Sequence, residues 1–79
     1  MVPEPGPLPL VTLRKRKLLS QRALARQAGV ALSTIYLLEA ARTRHVTFKV
    51  MRAVSAALDV PPEAILEFRR AIEAPESPR

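Results

Sequence analysis

Between Leu13 and Arg52, ten lysines and arginines stand against a single acid, Glu39. Fixed positive charge at that density does one kind of chemistry well, the neutralisation of a polyanion. The rest of the chain holds three cations and six acids, so the net +6 divides into a compact basic part at +9 and a mildly acidic remainder at −3. The first part calls for a polyanion partner and the second for a different neighbour. Bond-making chemistry has little to work with. The absence of cysteine excludes a disulfide scaffold, a thiolate metal site and a cysteine nucleophile. A single histidine, His45, leaves no cluster for a zinc centre and reads as a surface loop side chain. There is no glycine-rich phosphate loop and no pair of facing carboxylates, since Glu63, Glu67 and Glu73 read as the solvated face of one terminal helix. The expectation is a protein that is not an enzyme and takes no cofactor, metal or small-molecule ligand.

The elements that must position these charges have to fit in 79 residues, room for one small domain that buries roughly 60% of its unfolded surface. Apolar residues make up 48% of the chain, but the only aromatics are Tyr36, Phe48 and Phe68. No apolar run approaches the ~18–20 residues of a membrane span, and the N-terminus lacks a basic-then-apolar signal. The cations spread over several short segments rather than along one membrane-surface helix. A soluble, cytoplasmic protein without membrane contact is expected.

Prolines at positions 3, 5, 7 and 9 with Gly6 predict a flexible, extended arm over residues 1–9. The closing APESPR predicts a disordered tail over 74–79. Between them, residues 10–73 show no strand signal and one glycine, Gly29, so the domain reads as all-α. Leu10, Leu13 and either Leu18 or Leu19 mark a first helix with Pro9 at its start. Ser20 caps a second, whose buried face is Leu24, Ala25 and Ala28, and Gly29 ends it in the left-handed conformation. A third helix turns Ile35 and Leu38 inward and ends near Glu39. After the basic loop AARTRHVT, Thr47 caps a fourth carrying Phe48, Met51, Val54 and Leu58. A fifth starts near Pro62 and carries Ile65, Leu66, Phe68, Arg69 and Ile72.

Two helices joined by a glycine-containing turn in a basic chain are the general pattern of a helix-turn-helix. The second helix must cross the first steeply to enter a major groove about 12 Å wide. That crossing needs a small residue (Ala25), a residue free to take positive φ (Gly29) and apolar anchors (Ile35, Leu38), all present within residues 19–39. A plain helical hairpin shares this spacing. Beyond spacing, Leu19-Ser20-Gln21, Leu24-Ala25, Ala28-Gly29-Val30, Ser33-Thr34-Ile35 and Leu38-Glu39 match in register a family of regulators. The later AALDVPPEAIL matches its approach to a fifth helix. The chain thus resembles the Cro and phage-repressor type of helix-turn-helix regulator, which includes many small bacterial transcription factors and antitoxins. The resemblance covers residues 10–66 and implies a compact five-helix, lambda-repressor-like domain, with the helix-turn-helix at about 20–39.

The resemblance also implies roles. Arg14 and Glu39 take the places of an ion pair that ties the family's helices together. Gln21 matches the glutamine that touches the DNA backbone and braces the recognition helix. Leu32, Ser33, Tyr36 and Leu37 form the base-reading surface, with Thr34 near the backbone. Lys15, Lys17, Arg22, Arg42 and Arg44 are within reach of phosphate, a contact type that supplies most non-specific affinity. The sequence departs from the family in placing leucine at 32 and 37, where Gln, Arg, Lys or Asn usually makes paired hydrogen bonds. Leucine contacts a thymine methyl or excludes water, so either specificity leans on thymine contacts and DNA shape, or this helix faces a protein. Ala31 also stands where the family has a Ser or Thr cap, a loss of about 1 kcal/mol.

Ile65, Phe68 and Ile72 form an i, i+3, i+7 stripe on the fifth helix, expected to extend past the core as a dimer interface. The leading expectation is a sequence-specific regulator of double-stranded DNA, a repressor acting as a homodimer. The alternative is an antitoxin-like module whose partner is a protein, such as a toxin or a polymerase subunit. With no room for a ligand-sensing domain, control is expected through concentration, dimerisation or that partner.

Overall fold

Local chemistry sets the helix ends. A computed structural model describes residues 6–40 and 46–73, so the expected loop cations Arg42 and Arg44, with His45, lie outside the described residues, as do 1–5 and the tail 74–79. Pro9 opens α1 (Leu10–Arg16). Ser20 caps α2 (Gln21–Ala28), its Oγ accepting from the Ala23 amide at 3.0 Å. Gly29 ends α2 at φ 71°, the left-handed region that only glycine enters freely. The chain then turns into α3 (Leu32–Glu39), whose N-cap Ala31 makes no side-chain hydrogen bond. Thr47 caps α4 (Phe48–Leu58) by accepting from Val50 N at 3.2 Å. A 3-10 turn at Pro62–Ala64 precedes α5 (Leu66–Glu73). Among the described residues there are five α-helices and no strand.

The helices enclose one core. Leu10 and Leu13 from α1, Leu24 and Ala25 from α2, Ile35 and Leu38 from α3, and Met51, Val54 and Leu58 from α4 meet in it with Ile65 and Phe68. In this arrangement α2 packs against both α3 and α4. Small Ala25 of α2 is buried in this core at 4% exposure.

Five expectations change. The fifth helix does not run from Pro62, because Ile65 is extended (φ −98°, ψ 119°) and α5 begins only at Leu66. The reason lies at the other end of the chain. Leu8 bridges in parallel to Ile65, donating to Ala64 O at 3.1 Å and accepting from Leu66 N at 2.8 Å. Residues 6–9 are therefore not a free arm, and the ordered domain includes Leu8. Glu67 is not on a solvated face either: its Oε1 accepts from Leu10 N at 2.9 Å, satisfying one of the orphan donors at the start of α1. Phe48 leaves the expected buried stripe. It opens α4 at the rim of the core and is 69% exposed.

The fifth change concerns the dimer stripe. Ile65 and Phe68 are both fully buried among this chain's own helices, so neither side chain is available to a partner. Docking of Leu8 closes the core over Ile65, and α5 brings Phe68 inside with it. Only Ile72 of the three remains exposed.

Candidate nucleic-acid interface

Glu39 is the last residue of α3, at the negative end of the helix dipole, where an acid is unfavourable without a cation. Arg14 supplies it. The guanidinium donates from Nε to Glu39 Oε2 at 2.6 Å and from Nη2 to Oε1 at 3.2 Å, a two-point contact. Both side chains are nearly removed from solvent, at 11% and 7% exposure. Gln21, the first residue of α2, donates from Nε2 to the same Oε1 at 2.9 Å. The remaining guanidinium arm, Nη1, donates to Leu19 O at 2.7 Å. The end of α1, the start of α2 and the end of α3 thus converge on one carboxylate. Among the described residues no buried side-chain nitrogen or oxygen lacks a partner.

Leu19 enters this junction because the chain leaves α1 through a left-handed residue. Leu18 has φ 58°, and the Leu19 amide turns back to Arg14 O at 3.2 Å. That backbone closure normally takes glycine. Its consequence is that Leu19 is half-buried while Leu18 is 92% exposed. Adjacent leucines carry the same hydropathy, so periodicity does not separate them; neither the role of the Leu19 carbonyl nor the exposure of Leu18 had a signal in the sequence.

With Ile35 and Leu38 anchored, α3 presents one outer face. Leu32, Ser33, Tyr36 and Leu37 all lie on it and are exposed, at 38%, 53% and 37% for Leu32, Tyr36 and Leu37. Thr34 is half-buried at its edge. The expected reading residues are therefore brought together. Lys15, Arg16 and Lys17 are exposed at the end of α1, and Arg22 and Arg26 on α2. Lys17 and Arg22 flank the Glu39 junction along the chain, Arg22 directly following the Gln21 that bonds to it. The exposed charges of α1, α2 and α3 are all positive. Ile72 and Phe48, with Met51, Arg52 and Pro62, line a shallow apolar hollow between α4 and α5.

Among the described residues no group of three His, Asp or Glu side chains is placed to hold a metal. No described helix is long and apolar enough to cross a membrane.

Comparison with known proteins bears on the same residues. A helix-turn-helix family model matches residues 10–65, the span from the start of α1 to the extended Ile65. A chain of the solved SinR protein/SinI protein complex has a similar fold, with a TM-score of 0.69 and 27% identity over 86% of this chain and 79% of that one. No curated protein matches.

Proposed function

Since the chain belongs to the helix-turn-helix family of the Cro and phage-repressor type and is thereby a DNA-binding transcription regulator, we propose that it is a sequence-specific repressor of double-stranded DNA. It acts in the cytoplasm as a homodimer that occludes a promoter, with α3 of each subunit in the major groove. The observation that carries this reading is the Glu39 junction. It clamps α3 to α1 and α2, so that Leu32, Ser33, Tyr36 and Leu37 face outward among exposed cations. Gln21 and Thr34 lie at the edge of that face, and Lys17 and Arg22 supply phosphate contacts beside it. The loop cations Arg42 and Arg44 belong to the same proposed contact set. Half-sites about one helical turn apart follow from two-fold symmetry. No catalytic role is proposed.

The test is fluorescence anisotropy of a duplex enriched from a random pool, beside a scrambled duplex, at two salt concentrations. Preference for the enriched duplex by at least ~10³-fold supports a specific regulator. Equal binding that falls together as salt rises leaves only a basic surface. A second reading, a protein-interaction module of the antitoxin kind, draws on the apolar exposure of Leu32, Tyr36 and Leu37. The similar structure is, moreover, that of two proteins in complex. Co-purification of a second small protein bound across α3, with loss of DNA preference, would favour it.

A further inference from the structure

The outer face of α3 is made largely of hydrocarbon. Leu32, Tyr36 and Leu37 are its exposed large residues, and Ser33 is the other exposed position within the helix. None of them has the adjacent donor and acceptor of Asn or Gln, or the fork of Arg. The hydroxyls of Ser33 and Tyr36 both donate and accept, so neither alone separates one base pair from another. An aliphatic side chain does distinguish one feature of the major groove, the C5-methyl group of thymine.

Apolar exposure on one short helix needs a cover, and the surrounding charge selects which. Lys15, Arg16, Lys17, Arg22 and Arg26 are exposed on the neighbouring helices. The acid of these three helices, Glu39, is committed internally to Arg14 and Gln21. A polyanion that also offers methyl groups fits this surface better than a protein face does.

Resting on the reading of this surface as a DNA interface, we infer that Leu32 and Leu37 select the C5-methyl groups of pyrimidines in the major groove. The operator is then defined by where 5-methylpyrimidines stand more than by hydrogen-bond pattern. 5-Methylcytosine carries its methyl at the same ring position as thymine and belongs to the same ligand class. Uracil and cytosine lack the methyl and do not.

The experiment uses the full chain and the enriched duplex, synthesised with thymine, with deoxyuridine at each thymine in turn, and with 5-methylcytosine·guanine or cytosine·guanine in place of each sensitive pair. Exchange of thymine for uracil removes a methyl and leaves every hydrogen-bonding group in place. The expected loss is about fourfold for each methyl buried by a leucine. At those positions 5-methylcytosine should bind better than cytosine by a similar factor. The Leu32→Ala, Leu37→Ala double variant should lose both discriminations, while the salt slope of its binding, set by lysines and arginines, stays that of the parent. Thymine and uracil duplexes binding alike would overturn the inference and leave a specific regulator standing. A uracil penalty that the double variant retains would also overturn it, because the effect would then belong to the duplex. Failure to enrich any duplex, or a protein found on α3 in its place, overturns the underlying reading and this inference with it.

Discussion

Replacing Glu39 by alanine leaves the Arg14 guanidinium in a site where its side chain is 11% exposed, with one protein acceptor, Leu19 O, in place of three. Removing one partner of a buried pair costs about 3–5 kcal/mol, because the other charge stays desolvated and unpaired. The retained bond to Leu19 places the expected loss near the lower end, about 3 kcal/mol. For a chain of this length total stability is on the order of 4–12 kcal/mol, so the variant loses a large share of it. The melting temperature should fall by roughly 12–24 °C. Urea unfolding followed by circular dichroism measures the change as a shift in midpoint at constant slope. Glu39→Gln separates charge from shape, since its amide turns a donor toward the donors of Arg14, and should be nearly as destabilising. The double replacement Arg14→Met, Glu39→Leu removes both charges and should return to within about 1 kcal/mol of the parent. A loss below about 1 kcal/mol for Glu39→Ala, the range of exposed pairs, would refute the claim that this junction is energetically buried.

The remaining expectations test the turn, the core and the charge separately. Leu18→Gly removes left-handed strain of about 1–2 kcal/mol, offset by roughly 0.5–1 from the looser unfolded chain, and no packing is lost from a residue 92% exposed. Its melting temperature should rise by about 4 °C. Phe68→Ala should cost about 3–5 kcal/mol, whereas Phe48→Ser with Ile72→Ser should change stability by less than about 0.5 kcal/mol. If the hollow between α4 and α5 is the dimer face, that double variant sediments as a monomer at concentrations where the parent does not. Lys17→Gln and Arg22→Gln should each lower the slope of log affinity against log salt by about 0.9, equally for specific and scrambled duplexes.

Features governed by neighbouring residues were readable in the sequence. Ser20 and Thr47 accept from the third residue onward and Gly29 takes positive φ, because capping and left-handed turns depend on a few consecutive residues. The partnership of Arg14 with Glu39 spans twenty-five positions and was readable only through resemblance to a family. Depth was the harder quantity. An i, i+3, i+7 stripe states which residues share a face, but not how far the core extends along it. Ile65 and Phe68 are both inside the core, and Leu8 folds across to bridge Ile65, a contact between distant segments that no periodicity contains. Phe48 shows the converse, sharing the phase of Met51 yet lying one turn past the edge of the core. Glu67 resembles any solvated glutamate until α1 is found to begin at its carboxylate.

The placement of one carboxylate at the meeting of three helices makes stability and recognition separable by experiment. Arg14 and Gln21 hold the end of α3 from α1 and α2, the helices that also carry the exposed cations. Phosphate contacts set where a protein sits on a duplex, and base contacts decide which duplex it prefers. On the proposed function, loosening the junction lets the α3 face move relative to the cations proposed to hold phosphate. Glu39→Gln, assayed well below its melting temperature, should narrow the ratio of specific to scrambled affinity while leaving the salt slope unchanged, because no surface cation is lost. Lys17→Gln should do the opposite, reducing the slope and sparing the ratio. If the ratio survives in folded Glu39→Gln, the junction is a stabilising device and the orientation of α3 is set by Ile35 and Leu38 alone.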